Sequence, residues 1–389
     1  MDKQTKRTIA ILIFGNLLVC IGISIVMPVE PFIKKSYHYS TTDMGIMTSL
    51  FAFMQFVASP IVGRLSDKIG RKPLIVGGLA LYMISEIIFA MSNSLLFFDI
   101  SRIIGGLSAA MFVPTSMAMA ADLTTDSQRA RVIGYISAAF SGGLILGPGI
   151  GGMLAKISIK TPFWVAAMLG LVSLIFTIFF LKDEKIKQHK IHHENVKPVK
   201  LKSILTPTLV VLFILIFVSS FGLLGFESIY SIYVNQVFHF GLDQIALVLI
   251  LNGIGSLFLQ VVMFDWLTRR FGETKLIAWC FLLSAINVVW ITQTHSNLVV
   301  IIATLVIFCS FDLLRPAITT LLTKLGGKNQ GLINGVNTSL TSVGNIVGPV
   351  MSGMLMDWNT HAPYLVVAVI LFASTFMTLL VRKTETKKL

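Results

Sequence analysis

Four carboxylates and two arginines stand inside long apolar runs: Glu30, Glu86, Glu227 and Asp312, with Arg102 and Arg315. Ionisable groups at membrane depth are costly to hold charged, so their default reading is an ion or substrate path. Desolvation disfavours the charged form of a carboxylate, which lets it bind and release a proton near neutral pH and attract a cation when ionised. Asp312 and Arg315 are three apart in Phe311-Asp312-Leu313-Leu314-Arg315-Pro316, a spacing that lets them pair on one helical face. Glu227 lies in Gly225-Phe226-Glu227-Ser228, and Glu30 in Met27-Pro28-Val29-Glu30-Pro31, where simple hydration at a membrane surface is the competing reading. Glu227, Asp312, Arg315 and Glu30 are the candidates for handling a proton.

The elements that must position these groups are helices in lipid. Of 389 residues, 55% are hydrophobic and 13% charged, a balance that excludes a soluble globular domain of this size. Apolar windows of about 20 residues, enough to cross a bilayer as helix, recur over 9–33, 44–66, 74–92, 96–120, 131–155, 162–181, 208–233, 244–267, 275–294, 297–322, 331–356 and 363–381. An all-α protein of twelve transmembrane helices follows. The first run trails Lys3, Lys6 and Arg7 like a signal peptide, but it is too long and eleven more spans succeed it. Cys20, Cys280 and Cys309 all fall inside spans, without the spacing of a zinc site or a disulfide framework.

Charge sets the topology. Of the 31 Lys and Arg residues, 25 fall at the termini and in alternate connections, against four (Lys34, Lys35, Lys156 and Lys160) in the others. The excess of basic residues on one side places both termini in the cytoplasm of what is expected to be a bacterial cell membrane. It also absorbs the net charge of +13, so no nucleic-acid partner is needed. No nucleotide-binding glycine loop, metal cluster or nucleophile–base pair appears in the sequence, so an enzyme, a resident metal and a cofactor are not expected.

The sequence divides into residues 1–181 and 208–389, with 182–207 as a solvated cytoplasmic linker carrying seven lysines and His189, His192 and His193. Those histidines alone invite a metal reading, but no carboxylate or cysteine scaffold accompanies them. The two parts repeat one another at an offset of about 201 residues. Gly143, Gly147, Pro148 and Gly151 correspond to Gly344, Gly348, Pro349 and Ser352, and the segment 65–70 returns at 267–272. A duplicated six-span unit puts a cavity between two bundles near the bilayer midplane, opened alternately to either side.

Three motifs carry chemistry. The turn Gly63-Arg64-Leu65-Ser66-Asp67-Lys68-Ile69-Gly70-Arg71-Lys72 combines glycines suited to a tight turn and close helix approach, Gly63 and Gly70, with the opposite charges of Asp67 and Arg71. In its second copy Arg269 replaces the aspartate and Glu273 the arginine, so a latch there is reversed or lost. Arg102 opens Arg-Ile-Ile-Gly-Gly-Leu-Ser in the fourth span, and snorkelling beside Asp99 competes with a functional role. In the fifth span, Gly143 precedes Gly147-Pro148-Gly149-Ile150-Gly151-Gly152, where small residues four apart give a flat face for close packing and Pro148 can kink the helix.

These motifs resemble the major facilitator superfamily over nearly the whole chain. The Gly-Pro-x-x-Gly-Gly form resembles its antiporting exporters, and the segments around Glu227 and Asp312 resemble bacterial multidrug exporters of the NorA and Bmr type. The resemblance implies a drug:proton antiporter in which the turn at 63–72 and Arg102 act in gating and Glu227 and Asp312 in proton coupling. Aromatic and amide residues on the expected cavity walls, Phe14, Gln55, Phe140, Tyr230, Phe311 and Asn337, would hold flat amphiphilic cations. The partners so implied are small-molecule drugs, protons and the lipid bilayer, with the chain a monomer. The rivals are a narrow exporter of tetracycline or a metabolite, a proton-linked uptake carrier, and a membrane receptor that binds without transport.

Overall fold

A computed structural model describes residues 3–181, 206–325 and 330–385. The linker expected over 182–207, with its three histidines, lies almost entirely outside the described residues. All regular structure among the described residues is helical, as it must be where only intra-segment hydrogen bonds can satisfy the backbone in lipid.

The chain opens with α1 (Lys3–Ser24), a 3-10 turn (Met27–Val29) and short α2 (Glu30–Tyr37). Pro28 and Pro31 explain the interruption, since neither can donate to the preceding turn. Five helices follow: α3 (Thr41–Ile69), α4 (Arg71–Met91), α5 (Leu95–Asp122), α6 (Asp126–Ala155) and α7 (Thr161–Phe180). The second repeat begins with α8 (Pro207–Phe238) and continues through α9 (Leu242–Phe258), a π-helical turn (Leu259–Met263) and α10 (Phe264–Phe271). It ends with α11 (Glu273–Gln293), α12 (Asn297–Leu325), α13 (Gln330–Trp358) and α14 (Ala362–Glu385). Ten segments are long and apolar enough to cross a membrane, with α1–α2 and α9–α10 each counting as one. Outside that set stand α13 and α14, the latter with a shorter apolar stretch.

Contacts divide the chain into two compact units whose borders cut across the repeat. Unit 1 takes the described residues of 1–39, 50–191 and 239–253, and unit 2 those of 40–49, 192–238 and 254–389. Thus α3 starts in unit 2 and continues in unit 1, whereas α9 does the reverse. The core of unit 1 is built on Leu12, Ile75, Leu79, Tyr82, Phe112 and Ile136, all 4% exposed or less. Unit 2 buries an aromatic stack in which Phe226 lies 4.8 Å from Tyr364 and 5.3 Å from Phe308.

The repeat reaches the turns. Gly70 and Gly272 join α3 to α4 and α10 to α11 at φ 101° and 77°, conformations that side chains other than glycine's resist. His38 and His239 occupy the left-handed region at φ 55° and 57° just after α2 and α8. They stand 201 residues apart, in Tyr-His-Tyr and Phe-His-Phe.

Candidate functional site

The acidic residues of the second repeat come together because a glycine lets two helices approach. Gly222 of α8 faces Phe311 of α12 so closely that an added Cβ would stand 3.2 Å from the ring. Asp312 stands one residue beyond Phe311 on α12, and Glu227 five residues beyond Gly222 on α8. Both side chains are half-buried within unit 2. Carboxylates in an apolar helix pair are costly to hold charged, which makes both positions candidates for function.

Arg315 departs from its expected place. No ion pair with Asp312 is found among the described residues, and Arg315 is exposed. Glu30 is the first residue of α2, where a carboxylate complements the free amides of a helix start.

The expected lining residues fall into both units. In unit 1, Phe14 is 38% exposed and meets Phe176 edge-on at 5.6 Å, while Gln55 and Phe140 are half-buried. In unit 2, Tyr230 and Phe311 are each 1% exposed, inside the helix packing. Tyr230 lies 5.7 Å from Phe308 and 5.8 Å from Phe226, which makes it part of the core in this structure. Asn337 of α13 donates to Thr319 of α12 at 3.3 Å and leaves its own buried carbonyl oxygen without a partner.

Arg71 gathers most of the polar contacts of the turn at 63–72. Arg71 meets Asp67 at 2.7 Å, donates to the Ser66 hydroxyl at 2.6 Å and reaches Asp122, the last residue of α5, at 3.0 Å. Gly70 makes the bend; Gly63 has nothing within 4 Å of where a Cβ would be, so the close approach expected there is absent. In the second copy Glu273 pairs with Lys324 of α12. The interaction is therefore kept with its polarity inverted: arginine to aspartate in one repeat, glutamate to lysine in the other.

Arg102 finds a partner that local spacing does not reveal. Its guanidinium sits 4.6 Å over the Phe89 ring and 3.7 Å from the Glu86 carboxylate, both on α4. Glu86 is 4% exposed, and one of its oxygens has no hydrogen-bond partner, as is true of two guanidinium nitrogens of Arg102. Such a long, under-satisfied pair holds charge in unit 1 without the hydrogen bonds that would fix it.

The glycine motif of α6 is a packing seam along α1. An added Cβ on Gly143 would stand 2.6 Å from Cys20, and on Gly147 or Gly151 it would overlap Ser24 or the Ile25 carbonyl. Ser24 donates across the seam to the Gly143 carbonyl at 3.0 Å. Gly344 and Gly348 of α13 make the same close approach to Phe221 and Gly225 of α8. On another face of α6, Gly152 abuts Ala246 of α9.

One cavity was not foreseen. It measures about 530 Å³ and lies in unit 2 beside the π-helical turn, against α10, α11 and α12, with Leu259, Leu267, Trp279, Leu283, Cys309 and Leu313 in its wall. The π turn escapes sequence reading because nothing in Leu-Gln-Val-Val-Met marks it.

Long apolar helices, a glycine-seamed internal repeat and charges at membrane depth define a multi-pass membrane protein of the carrier kind. The chain belongs to the Major Facilitator Superfamily, whose profile matches residues 12–243 and 212–389. It is 39% identical over 366 residues to Multidrug resistance protein 1 of Bacillus subtilis (strain 168), covering 94% of this chain and 93% of that one. It is 36% identical over 380 residues to Multidrug resistance protein 2 of the same strain, covering 96% and 95%. Quinolone resistance protein NorA of Staphylococcus aureus is 35% identical over 363 residues, covering 93% and 92%. Among solved structures, a bacterial homologue of the human lysosomal transporter Spinster matches with a TM-score of 0.82 at 14% identity, covering 99% of this chain and 98% of that one. The human organic anion transporter MFSD10 matches at 0.67 and 21%, covering 97% and 100%.

Proposed function

We propose that the protein is a proton-coupled multidrug efflux transporter that exports hydrophobic, often cationic compounds by alternating access. The observation that carries this reading is that Glu227 of α8 and Asp312 of α12 are half-buried carboxylates on two apolar helices brought into contact at Gly222 and Phe311. Deprotonated, the pair attracts a cation; protonated from the outer side, it releases the cation and permits return. The named relatives, two multidrug resistance proteins and a quinolone resistance protein, support drugs as the cargo. Residues 1–181 and 208–389 then act as the two bundles, in a cell membrane with both termini in the cytoplasm. Of the residues expected to contact the drug, Phe14, Gln55, Phe140 and Asn337 keep accessible surface, whereas Tyr230 and Phe311 are buried within unit 2.

The test is export of ethidium, a quinolone and tetracycline in inverted membrane vesicles, with and without a proton gradient. Wild-type protein should move more than one of them only when the gradient is present. Glu227→Gln/Asp312→Asn should abolish gradient-driven export while the protein remains folded and inserted. Gradient-dependent export retained in that double variant overturns the coupling assignment, and movement of tetracycline alone favours the narrow exporter.

A further inference from the structure

The cavity beside the π-helical turn has no part in the proton and drug chemistry above. It runs along one face of α11, where Leu276, Trp279, Cys280 and Leu283 of its wall stand three and four residues apart. From Leu276 to Leu283 is about 10 Å of helix, and a volume of about 530 Å³ is in the range of small-molecule sites. The wall is dry. The hydroxyl of Ser310, which borders it, is already donated to the Val306 carbonyl at 2.7 Å. The cavity opens on an apolar surface: Trp279, Leu283, Ile286 and Trp290 of α11 are each at least 40% exposed, a stripe of the kind that meets hydrocarbon when a helix spans a bilayer.

The first repeat fills the same place with side chains. At the offset of 202, Leu267, Leu276, Cys309 and Leu313 of the wall answer to Leu65, Leu74, Leu107 and Met111. In unit 1, Leu107 and Met111 pack on a buried cluster of Ala58, Val62, Leu74 and Ala110. In unit 2 the counterparts of Ala58 and Val62 are Gln260, within the π turn and exposed, and Phe264, just after it and half-buried. The counterpart of Leu107 is the smaller Cys309. A π turn re-aims the residues that follow it and is often found where a helix serves a ligand. The second repeat is thus built open where the first is built closed.

Charge marks the mouth. Arg270 and Lys275 are the sequence neighbours of Phe271 and Leu276, the wall residues on either side of the Gly272 bend. Both are exposed, and among the described residues neither forms an ion pair. Glu273, between them, is taken by Lys324. Asp265 stands one turn before Arg269 on another face of α10, where the two line a separate recess with Val262, Trp266 and Arg270. Four helices, α11 to α14, separate the bend from the end of α14, so both lie at one membrane surface. A dry slot at membrane depth with two unpaired cations at that surface fits an amphiphile with an apolar tail and a negative head.

We propose that this cavity is a binding site for one anionic phospholipid, with an acyl chain lying along α11 against Cys309 and Leu313 and the phosphodiester headgroup held by Arg270 and Lys275. The lipid comes from the leaflet on the side of the termini. The proposal needs only a chain that spans a membrane, so it stands apart from the reading of cargo and coupling.

The experiment uses the purified full-length protein in detergent, mixed with phosphatidylglycerol and phosphatidylcholine of the same acyl chains, and counts retained lipids by native mass spectrometry. Wild-type protein should retain one phosphatidylglycerol in preference to phosphatidylcholine. Arg270→Gln/Lys275→Gln, which changes two exposed side chains and spares the fold, should cut that preference at least about fivefold. Cys309→Phe and Leu305→Trp fill the cavity from α12 with the charges left in place, and each should lose the retained lipid. Glycerol phosphate, a headgroup without a chain, should not displace it. Cys309 supplies a second readout, because it is half-buried in the wall whereas Cys20 and Cys280 are 1% and 3% exposed. Adding phosphatidylglycerol to phosphatidylcholine nanodiscs should slow labelling of Cys309 by N-ethylmaleimide at least about threefold, and should not do so in Arg270→Gln/Lys275→Gln. Equal retention of the two lipids by wild-type protein, a preference unchanged in Arg270→Gln/Lys275→Gln, or retention unchanged in both filled variants overturns the proposal. Displacement by glycerol phosphate overturns it as well, since the headgroup alone would then suffice.

Discussion

At the scale of single residues, the structure separates charges that were legible from partners that were not. Arg102 is conspicuous in sequence because a guanidinium in an apolar run demands a reason. Spacing along one helix, which is all a sequence offers, points only to Asp99. The pairing with Glu86 depends on how α4 and α5 are rotated against each other, which no periodicity specifies. The consequence is measurable. Removing one member of a buried pair leaves the other uncompensated, at about 3 kcal/mol or more. Glu86→Ala should therefore lower Tm in detergent by about 5 °C or more. Asp67→Ala, which removes an exposed partner of Arg71, should shift Tm by no more than a degree or two, because isolated surface pairs contribute about 0–1 kcal/mol.

At the scale of elements, glycine spacing was a good guide to helix seams and a poor guide to individual glycines. Gly143, Gly147 and Gly151 recur every four residues, and that period is what let α6 be read as a close-packing helix. What the period omits is the opposing surface. The structure supplies it as the backbone of α1 from Leu17 to Ile25 and of α9 around Leu242. Gly63 resembled a seam glycine by motif yet faces open space. Gly147→Val should accordingly lose most folded protein in the membrane, since a branched side chain cannot fit against Ser24 and the Ile21 carbonyl and overpacking costs about 1–3 kcal/mol. Gly63→Ala should leave expression and Tm unchanged. Size-exclusion profiles and thermal scans of the purified variants check both, and the opposite ranking would contradict the seam. The π turn at Leu259–Met263 belongs at this scale too: its five residues have ordinary helix-compatible side chains, so only the neighbouring helices can have selected it.

For the whole molecule, the duplication was legible from motif copies, but its most informative property, inversion of charge, needed coordinates. The sequence shows Arg71 matched by Glu273; it does not show that Asp122 and Lys324 are their respective partners 51 residues on. Both pairs tie the first residue of one helix to the end of the next helix, so the position is retained while its sign is not. If only the tie matters to the cycle, polarity should be exchangeable. Glu273→Lys sets two lysines against each other and should cut ethidium export severalfold, whereas Glu273→Lys/Lys324→Glu, which gives the second repeat the polarity of the first, should restore it to within about twofold. Stability should move little in either, because Lys324 is largely exposed and a surface pair is worth about 0–1 kcal/mol. Failure of the double exchange, with the protein still inserted and folded, would mean that the inverted sign is itself required. The two repeats would then carry opposite electrostatic roles at the membrane side that holds the termini, and the same exchange at Arg71 and Asp122 should fail as well.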